Sequence, residues 1–320
     1  MEVFDQIYQN LKILHNTSID GSAICDVNLN INKIALIMGT QKQQNSKKSN
    51  PILHLYSAST AEKEQQFVLP TDYLKSIKFS QKGQFLIVYG LAEDIIVMCM
   101  NDANKKLQIL KGHLYFVDEI HIQKQEKLLV STASYDYLCL WSLEEFTLLQ
   151  KISTQEQQIN EIQALALSQS NNSLAVATSD ERLILWNYKS LQIVRRFQFK
   201  DGFNYLDYHT KSSSLLFAYR KASNSLILLN VEIQIILRQL DLFSVSLVNI
   251  DFIPDSNLIA ISQNNLFQKK GCISLWDWEK GELIKKQNFD DSVVIFKALE
   301  NNKVLITKDK NSIKFQIYKN

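Results

Sequence analysis

The chain has 320 residues, 46% of them hydrophobic and 21% charged, the usage of a globular protein with a large core, which excludes disorder for most of its length. Lys plus Arg (35) nearly equal Asp plus Glu (33). Bulk charge therefore offers no long-range attraction to nucleic acid or an anionic membrane, and an electrostatic partner has to be recognised by a local patch. Cys25, Cys99, Cys139 and Cys272 are far apart and form no CxxC pair, which argues against a zinc ribbon and a dense disulfide framework. Three of them sit in strand-like apolar runs, where a buried reduced thiol is the plain reading. The first residues, Met1-Glu2-Val3-Phe4-Asp5-Gln6, lack the basic-then-apolar pattern of a leader, and no apolar stretch approaches the ~18 residues of a membrane span. The expectation is a soluble cytoplasmic chain without stable membrane insertion, nuclear or cytoskeletal association being left open.

Taken in chain order, an apolar frame of the form Φ-x-x-Φ-x-Φ recurs seven times. The copies are Ile24/Val27/Leu29, Leu74/Ile77/Phe79, Val117/Ile120/Ile122, Ile162/Leu165/Leu167, Phe203/Leu206/Tyr208, Leu247/Ile250/Phe252 and Val293/Phe296/Ala298. Successive frames start between 41 residues (Ile162 to Phe203) and 50 residues (Ile24 to Leu74) apart. A polar turn follows each frame, as in Ser80-Gln81-Lys82-Gly83, and then an almost wholly apolar run such as Phe85-Leu86-Ile87-Val88-Tyr89 or Leu174-Ala175-Val176-Ala177. An apolar run of that length between turn formers predicts a strand buried on both faces. A third, alternating strand and a more polar fourth complete each unit. The period is close to the ~40 to 45 residues of a four-stranded propeller blade. With only three prolines and eight glycines, Asn, Asp, Ser and Lys must supply many turns.

Three of the third strands end in tryptophan: Cys139-Leu140-Trp141-Ser142, Ile184-Leu185-Trp186-Asn187 and Ser274-Leu275-Trp276-Asp277. Gly112-His113 stands before the third frame, with the histidine four residues ahead of Val117. Ser134-Tyr135-Asp136 and Thr178-Ser179-Asp180 lie between second and third strands. On these residues the chain resembles the WD40-repeat family, across nearly its whole length by period and in the third, fourth and sixth units by motif. The resemblance implies an all-β fold, a single seven-bladed β-propeller. It also implies a buried hydrogen-bonded chain of turn aspartate, histidine, strand hydroxyl and tryptophan indole within a blade. The third blade supplies Asp136, His113, Ser131 or Ser134, and Trp141; Asp180 with Trp186, and Trp276, are the corresponding residues of the fourth and sixth.

The blades expected from the frames run over about 20–70, 71–112, 113–153, 156–200, 201–242, 243–288 and 289–320. The last has only three strands before Asn320, and an unpaired edge invites aggregation. Tyr8–Leu14, within residues 1–16, is therefore expected to complete it as the closing strand.

No histidine pairs with another His, Cys or carboxylate at a metal-ligand spacing, and no phosphate loop, G-x-S-x-G elbow or H-E-x-x-H occurs. Neither catalysis nor a cofactor is expected. The family likeness implies a scaffold or adaptor subunit of a hetero-complex whose partners are other proteins. Arg195-Arg196-Phe197 is similar to the paired arginines of phosphoinositide-binding propellers acting at membranes, the alternative reading, although the glycine that follows the pair there is missing and the pair falls on an outer strand. Two surfaces are expected to meet partners. Lys42, Lys47 and Lys48 of one polar insertion (Thr40–Asn50), Lys269 and Lys270 of a second (Gln263–Gly271), and Lys308 and Lys310 would form an electropositive sector suited to an acidic protein segment or a phosphate-bearing ligand. Tyr73, Tyr115, Phe116 and Tyr135 would form an aromatic one.

Overall fold

In the computed structural model the described residues are 12–20, 23–38, 50–60, 62–71, 74–90, 92–102, 106–123, 125–133, 137–154, 158–168, 172–190, 192–209, 212, 214–243, 246–253, 256–265, 268, 270–290, 292–298, 302–308 and 312–319. For 12–20, 23, 38, 294–298, 302–308 and 312–319 only the backbone is described.

After strand β1 (Lys12–Asp20) the chain lays down one four-stranded sheet after another. The first sheet is β2 (Ala23–Asn28), β3 (Lys33–Met38), β4 (Ile52–Ser57) and β5 (Lys63–Val68). The second is β6 (Leu74–Phe79), β7 (Phe85–Gly90), β8 (Ile95–Cys99) and β9 (Leu107–Leu110). The third is β10 (Val117–Ile122), β11 (Leu128–Ala133), β12 (Tyr137–Ser142) and β13 (Thr147–Ser153). The fourth is β14 (Ile162–Leu167), β15 (Ser173–Thr178), β16 (Arg182–Asn187) and β17 (Gln192–Gln198). The fifth is β18 (Tyr205–Tyr208), β19 (Leu215–Arg220), β20 (Ser225–Asn230) and β21 (Ile235–Asp241). The sixth is β22 (Ser246–Phe252), β23 (Leu258–Asn265), β24 (Lys270–Asp277) and β25 (Glu282–Phe289). In the seventh, β26 (Ser292–Ala298), β27 (Asn302–Lys308) and β28 (Ser312–Lys319) are joined by β1, in the order β1-β28-β27-β26.

The burial of each strand follows its sequence. The apolar second strands β7 and β11 are buried at every position, whereas the outer strand β17 alternates exposed and half-buried residues. Frames two, three and four coincide with β6, β10 and β14. The first frame ends one residue late, because the Asn28 carboxamide oxygen accepts from the backbone N–H of Asn30 (2.9 Å) and Ile31 (3.3 Å) and turns the chain before Leu29. The fifth frame begins two residues early. Phe203 precedes β18 and is fully buried, its ring edge-on to Phe199 at 4.8 Å.

Two expectations change. The closing strand is Lys12–Asp20, displaced from the Tyr8–Leu14 expected, residues 1–11 lying outside the described ones. It pairs antiparallel with β28 from Lys12↔Lys319 to Asp20↔Ser312, with a bulge between Ile13 and His15. The run His15 to Asp20 holds that ladder in unbroken register. The insertion Gln263–Gly271 is mostly ladder: Gln263, Asn264 and Asn265 belong to β23 and Lys270 and Gly271 to β24, with Asn264↔Gly271 in register. Asn264 is the reason, since its side chain serves as a backbone partner. Its Nδ2 donates to the Val293 carbonyl (2.7 Å) and its Oδ1 accepts from the Val293 N–H (2.8 Å), stitching the sixth sheet to β26.

Contacts group the chain into two compact units, Met1–Asp72 with Ser76–Phe79 and Phe243–Asn320, and Tyr73–Lys75 with Ser80–Leu242. Within the second unit the core lies between consecutive sheets. One cluster joins Ile87, Val97, Val117, Ile120, Leu129 and Trp141; the next joins Val130, Leu140, Leu165, Leu174 and Trp186; a third joins Ala175, Leu185, Phe203, Leu206 and Leu229. Polar staples cross the same seams. The carboxylate of Glu126, a buried residue at φ 64°, accepts from the backbone N–H of Lys82 and, at 3.3 Å, of Gln84. Ser173 Oγ lies 2.9 Å from the Tyr208 hydroxyl, whose pKa burial pushes up to about 12 against that hydrogen bond. In the first unit, Asp26 accepts from the Phe79 N–H at 2.6 Å.

Candidate interaction surface

The loop before β10 is anchored at both ends. Gly112 has no room for a side chain: a Cβ there would lie 2.7 Å from Cη2 of Trp141. His113, 4% exposed, places Nε2 2.7 Å from Ser131 Oγ, and Trp141 Nε1 donates to that same oxygen at 2.7 Å. His113 Nδ1 lies 3.9 Å from Cys139 Sγ. At the far end Val117 is fully buried and its N–H reaches the Ala92 carbonyl at 3.4 Å. Of the residues expected in the third blade's network, the structure brings together His113, Ser131 and Trp141; Asp136 and Ser134 lie outside the described residues.

The tryptophans that end the third strands of the fourth and sixth sheets meet different surroundings. Trp141 pairs with Leu129 and Ser131 with Cys139, so the hydroxyl position is two cross-strand pairs along the ladder from the indole. In the fourth sheet Leu174 faces Trp186 and Val176 faces Ile184. Neither residue of the second pair carries a hydroxyl, and the Trp186 Nε1 is buried without a hydrogen bond. The expected Asp180–Trp186 association therefore does not form. Asp180 is bonded instead by the Thr178 hydroxyl and the Arg182 guanidinium, and Arg182 also donates to the Gln158 carbonyl at 3.0 Å. In the sixth sheet Ile261 faces Ser274, and the hydroxyl has moved to the other strand. Trp276 Nε1 donates to Ser274 Oγ at 2.9 Å. Phe243 lies four residues before the frame residue Leu247, as His113 does before Val117, and its ring stacks on Trp276 at 5.8 Å. Sequence reading missed Phe243, although the four-residue offset was a usable signal.

Asp180 makes this sheet sensitive to acid. Burial alone raises the pKa of its carboxyl, but the bonds from Arg182 and Thr178 and the Arg182 charge outweigh it and hold the group below the usual Asp value. A carboxyl depressed on folding stabilises the native state above its unfolded pKa and loses that contribution as pH falls through the folded one. Asp180→Asn is therefore expected to lower the urea midpoint fully at pH about 7, with the gap to wild type narrowing from about pH 4 downward. A gap constant with pH would refute a role for the carboxylate charge.

Between its anchors the loop exposes Leu114 (60%), Tyr115 (57%) and Phe116 (56%). The expected aromatic surface thus includes Tyr115 and Phe116; Leu114 joins them unpredicted, and Tyr73 and Tyr135 lie outside the described residues. Of the expected lysine sector, Lys42, Lys47, Lys48, Lys269 and Lys310 lie outside the described residues, and Lys308 is placed only by its backbone at the end of β27. Lys270 is exposed and 3.3 Å from the Asp290 carboxylate. Arg195 and Arg196 are successive residues of β17, paired with Leu185 and Ile184, so they face opposite sides of the sheet and do not converge on one anion. Arg195 donates to the Glu232 carbonyl at 2.7 Å, beside a cleft of about 300 Å³ lined by Trp186, Val194 and Val231.

All four cysteines are free thiols, and burial raises the pKa of Cys99 and Cys272. Among the described residues no three His, Cys, Asp or Glu side chains are grouped to hold a metal ion, and no helix is long and apolar enough to cross a membrane.

Repeated four-stranded sheets, an N-terminal strand completing the last, and tryptophans buried at the ends of third strands define an all-β propeller. The chain has the WD40-type β-propeller fold: it is similar to a chain in the crystal structure of the mitotic checkpoint complex, with a TM-score of 0.71 and 14% identity over 94% of each chain. No family model and no curated protein sequence matches it.

Proposed function

We propose that the protein is a non-catalytic scaffold or adaptor subunit that binds other proteins within a larger complex. The observation that carries this reading is the triplet Leu114-Tyr115-Phe116, exposed on a loop whose flanks, His113 and Val117, are buried. Three large apolar side chains in water are unfavourable for the isolated chain, and aromatic anchors of this kind dominate the energy of protein interfaces. Holding the loop at both ends reduces the entropy lost when a partner docks. That the structural neighbour is part of a protein complex supports protein partners in general.

The test is affinity capture of the full chain from its own cells. Tyr115→Ala with Phe116→Ala removes two exposed rings and is expected to leave the melting temperature unchanged while weakening partner retention by about 30-fold, the effect of one interface hot spot of roughly 2 kcal/mol. Unchanged retention of every co-purifying protein by the double variant would sink the proposal.

A further inference from the structure

We infer that the segment docking on the Leu114–Phe116 loop is a basic peptide stretch of a protein partner, with Lys or Arg flanking aliphatic or aromatic residues. This rests on the reading of that loop as a partner-binding surface and adds the chemistry of what it binds. The hydrogen bond from Val117 N–H to the Ala92 carbonyl, 3.4 Å, sets the turn of the second sheet against the foot of the loop. The next two residues of that turn are Glu93, exposed, and Asp94, half-buried, and among the described residues neither has an ion pair. On the other side Val117 is followed by Asp118 and Glu119. Asp118 is paired with Lys75 at 3.0 Å, and Glu119 with the His121 ring at 3.0 Å. Four carboxylates thus lie on the segments that adjoin the apolar triplet, Glu93 and Asp94 on the turn bonded to its foot and Asp118 and Glu119 on the strand it leads into, against Lys75, already engaged, and Lys111, separated from the triplet by the Gly112–His113 anchor. A chain of almost neutral total charge thus carries a local negative excess beside its exposed rings.

Coulomb attraction at such a partly exposed site selects cationic partners and raises their association rate, and it excludes nucleic acid by sign. Apolar contact supplies the affinity and charge supplies the choice. The basic residues of the partner would pair with Glu93 and Asp94 while its apolar residues cover Leu114, Tyr115 and Phe116.

The test uses the full-length chain and a displayed library of random peptides about 12 residues long, long enough to span the loop and the neighbouring turn when extended. Peptides retained by wild type and lost on Tyr115→Ala with Phe116→Ala are expected to be enriched in Lys and Arg. Their binding should weaken about tenfold in Glu93→Lys, and more weakly in Asp94→Asn, with the difference from wild type shrinking as salt is raised from about 50 to about 300 mM. Glu93 is exposed, so its reversal leaves the fold intact, which a melting curve checks. Loop-dependent peptides that are neutral or acidic would overturn this inference and leave the scaffold reading standing. If no peptide depends on the loop, and capture from cells does not either, both fail.

Discussion

Ser131→Ala is expected to lower the free energy of unfolding by about 3 kcal/mol, because it removes a buried hydroxyl that two buried groups share, at roughly 1–3 kcal/mol for each hydrogen bond lost. Ser131 is fully buried, and its hydroxyl serves both Trp141 Nε1 and His113 Nε2 at 2.7 Å. No water-accessible route repairs the loss, since Trp141 is 1% exposed and His113 4%. The complementary change is Val176→Thr. Val176 occupies in the fourth sheet the place of Ser131 in the third, and the Trp186 Nε1 next to it has no hydrogen bond. A hydroxyl there, at nearly constant volume, is expected to stabilise the protein by about 1 kcal/mol. Opposite signs at equivalent positions would isolate the hydrogen bond from side-chain size. Chemical denaturation of both variants measures it, and a neutral Ser131→Ala would show that the shared hydroxyl contributes nothing. Because His113 anchors the candidate surface, Ser131→Ala should also weaken partner capture, more than its stability loss alone explains.

The second large effect lies at the seam between the sixth sheet and β26. A Cβ on Gly271 would sit 2.7 Å from both the backbone nitrogen and Cγ2 of Val293, and 3.0 Å from Asn264 Oδ1. Backbone cannot rotate away as a side-chain tip can, so Gly271→Ala has to push β26 off the sheet. The expected cost is about 2–3 kcal/mol, the range for overpacked cores. The clash also breaks the paired hydrogen bonds of Asn264 to Val293, because Asn264 faces Gly271 across the ladder. Asn264→Ala removes those bonds without the clash and is expected to cost less, since Asn264 is only half-buried and water can replace part of what is lost. A thermal melt ranks the two. Should Gly271→Ala melt with wild type, the close approach of β26 to β24 would be wrong.

Much of the architecture was legible in the chain alone. The apolar runs located the second strands because a strand buried on both faces tolerates few polar residues, and the half-apolar frames ahead of them marked the first strands, a constraint that repeats from sheet to sheet. Gly112-His113 was legible too, since a glycine beneath a tryptophan and a histidine against a buried hydroxyl leave little choice of residue. Where a polar residue does a backbone's work, as Asn264 does, the pattern reads as a loop and hides the strand. The acid-sensitive Asp180 was noticed, but its partner Arg182 was not, because the guanidinium reaches back along its own turn and leaves the indole of Trp186 alone.

By itself the sequence determined the all-β class, the period of the sheets and the tryptophans that end their third strands, all of which follow from local alternation and burial of apolar side chains. Only the tertiary structure decided which hydroxyl meets which indole, that Phe243 stands where His113 stands, that the closing strand is Lys12–Asp20, and that Glu93 and Asp94 flank an exposed Leu114-Tyr115-Phe116. Each of these depends on pairing between residues distant in the chain. Cross-strand register and the contact of one sheet with the next have no signature in local composition, so they exist only once the sheets are assembled.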